Sequence, residues 1–355
     1  CERIVAGETS AGLLCGAEAV RAKARADKAG VELSWPLQDE SVVPGWTESE
    51  PFMMVHEAEL AHRIIWPTEI YPMFENALAH EAGRTSAEQM RVAAELWSGY
   101  SRVAATNPNA WDRTPYSVED IATVSESNRI VGYPYTKHMV SNPDVNMAAA
   151  TIVVSAQLAE ALGVSKDRWV FPLAGTDGKD PYFSVRPSFT GSAAIAVAGP
   201  RALELAGVTI DDVEHLDVYS CFPSAVEIAC KELDIDTSRQ LSVYGGLCFG
   251  GGPWNNPVGH AIATMVEVLR NDPQSTDLVT ANGGHIQKHS FGVYSCQPSS
   301  DAFRCETPQE RIDAFDTVDV VSDYTGPATI ETWTVMLERD GTAGQSHGIV
   351  RTPAG

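Results

Sequence analysis

The spacing of hydrophobic residues changes near Val145, and this change divides the chain into two regions. Over residues 57–105, apolar positions recur at helical spacing, and the last of three segments opens with Thr85 followed by Glu88, the signature of a capping box. Proline and asparagine then break the helical spacing over residues 107–116, which predicts a loop. We expect the helices of residues 57–105 to form a lid around a cleft.

Beyond Val145, short apolar runs alternate with helical segments, which is the pattern of a layered α/β domain. The predicted helices end at Gly163 and Gly207, because glycine readily adopts the left-handed conformation that closes a helix. The predicted strands, the first of them buried, cover residues 149–154, 168–176, 192–198, 214–219 and 278–282. Nearer the start, residues 10–24 predict a buried strand that ends in a turn at Gly16 and passes into a helix.

Two further segments differ from these regions. Residues 27–50 are polar and contain Pro44 and Trp46. After Arg311 the chain consists of short β-like runs with a hairpin signal at the Asp340-Gly341 pair, which predicts a separate small β module.

Composition restricts the partners of this chain. Its 355 residues carry a formal net charge of −22, so the average field repels nucleic acid and anionic membranes, and we expect neither as a partner. An anionic ligand would therefore need a local basic patch. Seven scattered cysteines form neither a disulfide pattern nor the paired spacing of a zinc site, which predicts reduced thiols, no bound metal and a cytoplasmic location. No apolar run is long enough to cross a bilayer.

Three short motifs follow one another in the second region: residues 145–150 (VNMAAA), 217–222 (DVYSCF) and 245–253 (GGLCFGGGP). In this order they resemble the thiolase family, and more narrowly its type 1 thiolase-like proteins and sterol-carrier-protein thiolase relatives. The first is similar to an Asn-Asp-Gly-Ala-Ala-Ala strand. In the second, Tyr219 stands where thiolases have an asparagine or histidine that holds a catalytic water. In the third, Gly252 occupies the position of the histidine in the Gly-His-Pro segment of active thiolases.

The resemblance implies a thiolase-like layered αβαβα core with an incomplete N-terminal part, a helical lid and a small C-terminal β module of oligonucleotide-binding-like topology. It divides the chain into a remnant of the N-terminal half, a loop and lid region, the remainder of that half, the C-terminal half and the added module: residues 1–26, 27–144, 145–197, 198–310 and 311–355. The nucleophilic cysteine would precede residue 1 by roughly three helical turns, so Cys1 is misplaced to serve and the chain is expected to be a fragment. A partner chain could supply the missing segment, and a homodimer and a monomer both stay open.

The same resemblance implies that acetyl-CoA or another acyl-CoA is substrate or ligand, with no permanently bound cofactor. The implied activity is that of an acetyl-CoA acetyltransferase in lipid metabolism. Because Gly252 replaces the histidine that would activate a nucleophilic cysteine, two alternatives stand beside it. One is a non-catalytic acyl-CoA-binding or partner subunit. The other is a retro-aldol lyase of the sterol-carrier thiolase type, in which Tyr219 and a histidine handle protons.

The candidate catalytic residues are Tyr219, Cys221, His260 and His289. The Tyr219 hydroxyl could act on a thioester carbonyl, or the ring could simply pack at a strand end. Cys221 could serve the reaction or be a small buried hydrophobe. His260 could cap a helix or face the cleft.

The candidate ligand-binding residues are basic or lie in glycine-containing turns: Lys137, His138, Gly251, Gly252, Gly284 and Lys288. The charge of Lys288 and the backbone N–H groups of its loop suit a coenzyme A phosphate or a thioester oxygen. Lys137 and His138 could reach the phosphates of the coenzyme or form an exposed basic pair. The glycine cluster lacks the strand–turn–helix context of a dinucleotide-binding fingerprint.

Overall fold

A computed structural model describes residues 1–36, 38–39, 41–42, 54–299, 301–321 and 323–354. Pro44 and Trp46 of the polar segment lie outside these residues. The α-helices in chain order are α1 (Glu2–Val5), α2 (Val20–Ala29), α3 (Glu57–Ala61), α4 (Pro67–Glu81), α5 (Ser86–Thr106), α6 (Val118–Ala122), α7 (Ala156–Ala161), α8 (Ala193–Ala206), α9 (Pro223–Leu233), α10 (Pro257–Asn271) and α11 (Gln309–Ile312). The strands are β1 (Ala11–Ala19), β2 (Ile130–Gly132), β3 (Tyr135–Thr136), β4 (Asn146–Val154), β5 (Phe171–Lys179), β6 (Leu216–Asp217), β7 (Thr276–Gly283), β8 (Lys288–Ser295), β9 (Arg304–Glu306), β10 (Thr329–Leu337) and β11 (Ala343–Arg351).

The central sheet has the order β6-β7-β8-β5-β9. Strand β6 is parallel to β7 and β5 is parallel to β9, whereas β8 is antiparallel to both of its neighbours. Helix α8 packs on β5 and β8, and α10 packs on β7. This arrangement confirms the predicted α/β fold class and brings the ends of β6 and β7 side by side.

The strand predicted at residues 192–198 is wrong, because these residues open helix α8. The Ser192 hydroxyl accepts a hydrogen bond from the Ile195 N–H at 3.1 Å and caps the helix. Gly207 ends it in the left-handed conformation, as predicted. Five of its first seven residues are buried, so the sequence is apolar around the helix and its helical period is hidden.

The two-stranded sheet of β1 and β4 corrects a second prediction. Strand β1 runs straight through Gly16, and neither strand is buried as expected. Leu13, Leu14 and Ile152 have 62, 63 and 73% of their surface exposed. Among the described residues β1 and β4 pair only with each other. The apolar side chains of these strands are therefore not covered on both faces of the sheet.

Helices α4 and α5 confirm the helical pattern, including the capping box of Thr85 and Glu88. Helix α4 is a core element rather than an outer lid, since every residue from Ile70 to Ala79 is buried. The C-terminal hairpin crosses this helix, and the Asn76 side-chain amide donates to the Trp333 carbonyl at 2.7 Å.

The C-terminal hairpin turns at the predicted Asp340-Gly341 pair, where Gly341 has a φ of +84°. It does not stand apart from the preceding region, because β10 pairs with β2 in a sheet of order β11-β10-β2-β3. The described part of residues 311–355 therefore shares a sheet with residues 130–136. None of the described helices combines the length and apolar character that a membrane span requires.

Candidate functional site

The DVYSCF motif forms the loop between β6 and α9. The Tyr219 backbone N–H donates to the Thr280 hydroxyl on β7 at 2.9 Å, and the Ser220 hydroxyl accepts from the Leu247 N–H at 3.3 Å. Below this loop, the buried Asp217 carboxyl accepts from the Ser242 hydroxyl, and burial raises its pKa to about 7. These contacts fix the loop to the neighbouring strand and to the glycine cluster.

Helix α4 brings Tyr71 against both this loop and the turn between β7 and β8. The Tyr71 hydroxyl donates to the Gly284 carbonyl at 3.1 Å and accepts from the Ile286 N–H at 3.3 Å. The Asn282 side-chain amide also donates to it at 3.1 Å. The Tyr71 ring stacks on Phe222 at 4.4 Å between centroids. The DVYSCF loop and the β7–β8 turn therefore meet on one side chain of a helix that is distant in sequence.

Cys221 lies within this convergence and is buried. Its sulfur is 3.7 Å from the Asn282 side-chain nitrogen. Burial raises the pKa of the Cys221 thiol to about 12, and hydrogen bonds from Tyr71 and Asn282 offset this only in part. The thiol is therefore protonated near neutral pH, and Cys221 is a poor nucleophile in this arrangement.

Tyr219 is half-buried beside Cys221. Burial and the neighbouring Cys221 raise the pKa of its hydroxyl well above the ordinary value, so the phenol stays protonated. The hydroxyl makes no hydrogen bond with any residue that the structure describes. At the place where β6 ends, it is thus a hydrogen-bond donor without a partner in the described part of the chain.

His289 faces an ion pair rather than the thiol. Its Nε2 lies 3.5 Å from the Asp180 carboxylate, and Arg186 lies 3.3 Å from the same carboxylate. Burial by itself would raise the pKa of Asp180, but the Arg186 charge and the His289 and Ser192 side chains outweigh it and hold the pKa at about 2. Arg186 also donates to the Ile286 carbonyl, so this cluster is joined to the β7–β8 turn.

A second buried acidic cluster is centred on Glu75, which lies one helical turn after Tyr71 on α4. The Glu75 carboxyl accepts from the Tyr135 hydroxyl at 2.5 Å and from the Gln89 amide at 2.6 Å. The same amide donates to Glu227 at 2.9 Å. Burial raises the pKa of both carboxyl groups. Glu75 raises the pKa of Glu227 further, whereas the hydrogen bond to Glu227 lowers that of Glu75, so the pair titrates as a unit.

The remaining histidine and lysine candidates lie elsewhere. His260 is half-buried on α10, its Nε2 has no hydrogen-bond partner among the described residues, and burial lowers its pKa. His138 packs against Tyr116 at 4.5 Å, and its carbonyl accepts from the Cys248 thiol at 3.1 Å. Lys137 is exposed. Among the described residues, no hydrogen bond, ion pair or ring contact joins these side chains to Tyr219 or Cys221, and their roles toward a ligand stay predictions.

The glycine candidates are close to the site but are tightly packed. A Cβ at Gly251 would overlap the Met147 sulfur, and one at Gly252 would overlap the Ser141 hydroxyl. The Ser141 N–H in turn donates to the Cys221 carbonyl at 3.1 Å. Packing alone accounts for glycine at 251 and 252, and their role toward a ligand stays a prediction.

At the β7–β8 turn, Gly284 has a φ of +65°, a conformation that favours glycine. Lys288 is the first residue of β8 and pairs with Gly283, rather than lying in an open loop.

Sequence analysis missed Tyr71, Asn282, Arg186 and Asp180. Asn282 could have been found, because it ends a predicted strand directly before the glycine pair. His285, in the β7–β8 turn, is buried with its ring edge-on to Tyr71 at 6.1 Å. Burial lowers the pKa of His285 to about 4, so it is neutral near pH 7.

The fold is that of a thiolase. The dimeric peroxisomal thiolase of Saccharomyces cerevisiae superposes with a TM-score of 0.55 and 14% identity over 83% of this chain and 71% of that chain. A monomeric SCP2-thiolase-like protein type 1 from Mycobacterium smegmatis superposes with a TM-score of 0.83 and 32% identity, over 100% of this chain and 71% of that chain. Residues 308–355 match the model of the thiolase-like protein type 1 additional C-terminal domain. The chain belongs to the type 1 thiolase-like proteins of the thiolase superfamily.

Curated relatives match a shorter segment. The chain is 27% identical over 123 residues to 3-ketoacyl-CoA thiolase 5, peroxisomal, of Arabidopsis thaliana. It is 32% identical over 124 residues to acetyl-CoA acetyltransferase IB of Candida tropicalis. Each match covers 35% of this chain but only 25 and 28% of the respective relative, so the chain spans about a quarter of their length.

Proposed function

We propose that this protein binds an acyl-CoA thioester, with the thioester carbonyl at the Tyr219 hydroxyl. The observation that carries the proposal is the phenol of Tyr219, which has no hydrogen-bond partner among the described residues and lies beside Cys221 at the end of β6. A protonated phenol donates a hydrogen bond to a carbonyl oxygen, and it donates more strongly as negative charge develops on that oxygen.

The surroundings of Tyr219 support this orientation. The β7–β8 turn, held by the Tyr71 hydroxyl, lies next to Cys221 through Asn282. The names of two partly matching relatives, a 3-ketoacyl-CoA thiolase and an acetyl-CoA acetyltransferase, point to the same class of ligand. An acyl-CoA is accordingly the ligand that both the site and the relatives favour.

The site favours binding over acyl transfer through Cys221. A nucleophilic cysteine needs a lowered pKa and a neighbouring base or cation, whereas burial raises the pKa of Cys221 to about 12. Among the described residues, the groups nearest its sulfur are the Tyr71 phenol and the Asn282 amide, neither of which is cationic. The form of the function that we propose is therefore an acyl-CoA-binding protein in which Cys221 is not the attacking group.

Calorimetric titration with acetyl-CoA and with free coenzyme A tests this proposal. Tyr219→Phe should weaken acetyl-CoA binding by about two- to tenfold, the value of one hydrogen bond, and leave coenzyme A binding unchanged because the free thiol has no carbonyl. Tyr294→Phe, which removes another half-buried phenol on β8, is the matched control. If neither acetyl-CoA nor coenzyme A binds, the proposal is wrong. If Tyr219→Phe weakens the binding of both ligands equally, Tyr219 does not contact the thioester carbonyl.

A further inference from the structure

The β7–β8 turn contains a strained residue. Ile286 has a φ of +55°, which belongs to the left-handed conformation that favours glycine. Branching at Cβ makes this conformation costly, so an isoleucine there is an outlier. Three other non-glycine residues of the described chain have a positive φ, and none of them is β-branched. Such strain persists only where the surroundings hold the backbone in place, and it is found most often at functional sites.

The backbone and the side chain of Ile286 are both held. Its N–H donates to the Tyr71 hydroxyl at 3.3 Å, and its carbonyl accepts from the buried Arg186 guanidinium. Its side chain is buried, with 1% of its surface exposed. The Tyr71 hydroxyl also donates to the Gly284 carbonyl at 3.1 Å and accepts from the Asn282 amide at 3.1 Å. One phenol therefore holds the end of β7 and the turn that follows it.

The turn has a buried part and a part that borders the proposed thioester site. Residues 285–287 are buried, whereas Asn282 is half-buried and its amide lies 3.7 Å from the Cys221 sulfur. Burial raises the pKa of the Tyr71 phenol, and the nearby Cys221 and Tyr219 raise it further, because all three side chains lie close together. The conformation of the buried part therefore sets the position of the Asn282 amide.

We propose that Tyr71 is a positioning residue, which holds the β7–β8 turn in its strained conformation and so keeps Asn282 beside Cys221 before a ligand binds. The inference rests on the proposed acyl-CoA site, because this turn borders that site. A site that already has its binding conformation loses less free energy on association than one that must first be ordered. Without the Tyr71 hydroxyl the turn relaxes, and only the molecules that retain the strained conformation bind the ligand tightly.

A comparison of alanine and glycine at position 286 tests this role. Both substitutions remove most of the same buried side chain, but only glycine adopts a positive φ without strain. In the Ile286→Ala protein, Tyr71→Phe should weaken the binding of acetyl-CoA and of coenzyme A by about tenfold, measured by calorimetry. In the Ile286→Gly protein, the same change should weaken both by about threefold or less, because the turn adopts its shape without the help of the hydroxyl.

Tyr135→Phe is the matched control. It removes another buried phenol, which donates to Glu75 and has no hydrogen bond to residues 283–287 among those that the structure describes. Its effect on binding should be the same in the alanine and glycine proteins. An equal effect of Tyr71→Phe in both proteins would overturn the inference and leave the proposed function standing. If the unmodified protein binds neither ligand, the proposed function is wrong and the inference falls with it.

Hydrogen exchange of the ligand-free protein tests the inference even if the variants at position 286 fail to fold. In Tyr71→Phe alone, the amides of residues 284–287 should exchange about tenfold faster, because the Ile286 N–H loses its acceptor and the turn opens. Exchange in the middle of β8, at residues 291–293, should not change. Unchanged exchange of the turn would show that Tyr71 does not hold it and would overturn the inference.

Discussion

The two buried acidic clusters of this molecule have opposite electrostatic character. At Asp180, a carboxylate lies beside Arg186, and its pKa is lowered to about 2. At Glu75 and Glu227, two carboxyl groups share the Gln89 amide, no cation of the described residues forms an ion pair with them, and burial raises their pKa. Burial is the largest single influence on the pKa of the carboxyl groups in both clusters, and in both it acts to raise that pKa. The partner therefore decides whether a buried acid is ionised.

The largest effect is expected from removing the cation. Arg186→Met should destabilise the protein by about 3–5 kcal/mol, because it leaves Asp180 buried and unpaired. Urea unfolding at neutral pH measures the loss. A loss below about 1 kcal/mol would mean that solvent already reaches Asp180 and that the contrast between the clusters is false.

The same pair predicts a pH dependence. Asp180 has a folded-state pKa of about 2 against an ordinary value of 3.8, so its contribution is present above pH 3.8 and is lost as the pH falls toward 2. Asp180→Asn should remove this part of the acid sensitivity in unfolding curves recorded across that range. An unchanged slope would contradict the assignment.

Cys221 extends the comparison to a buried acid that likewise has no cation beside it among the described residues. Its pKa of about 12 predicts that alkylation by iodoacetamide near neutral pH is slower than that of the exposed Cys15 by about a hundredfold or more, because the thiolate fraction falls tenfold per pKa unit. Mass spectrometry of the labelled peptides gives both rates. Comparable rates would return Cys221 to the list of candidate nucleophiles.

A smaller effect is expected at the carboxyl pair. A raised folded-state pKa means that the stabilising contribution of protonated Glu227 is present below the ordinary value of 4.5 and is lost as the pH rises. Glu227→Gln should therefore raise the stability by about 1–3 kcal/mol above neutral pH, with little change near pH 4. Unfolding curves at the two pH values measure the difference. A lower stability at both would show that the pair is not under electrostatic stress.

The smallest effect is expected from Arg351→Met. Its partner Glu331 is partly exposed, and such pairs contribute about 0–1 kcal/mol. This variant is the control for Arg186→Met, since both remove an arginine from an ion pair and differ in burial. Equal losses would show that burial is not what separates them.

Sequence patterns predicted the local features of the fold well. The cap at Thr85, the helix end at Gly207 and the hairpin at Gly341 each depend on residues within a few positions of one another. Cys221 and Gly284, which the sequence gives as separate candidates, are joined by Tyr71. The predicted catalytic and binding roles of these residues stay predictions.

Contacts between residues that are distant along the chain could not be predicted from the sequence. Tyr71 lies 213 residues before Gly284, and its place in a buried helix looks like ordinary core packing. The pairing of Arg186 with Asp180 depends on how a loop folds back against β8. In the same way, an apolar run predicts a strand or helix surface but not what covers it. For that reason β1 was expected to be buried and α8 was read in part as a strand.

The hydrogen bond between Asn76 and Trp333 has a consequence for the order in which the chain becomes functional during synthesis. Strand β10, which covers helix α4, leaves the ribosome only some 250 residues after the helix. Until then the helix that holds Tyr71 lacks one of its walls. A binding site that includes Tyr71 would thus reach its final shape only when the hairpin of β10 and β11 has been added.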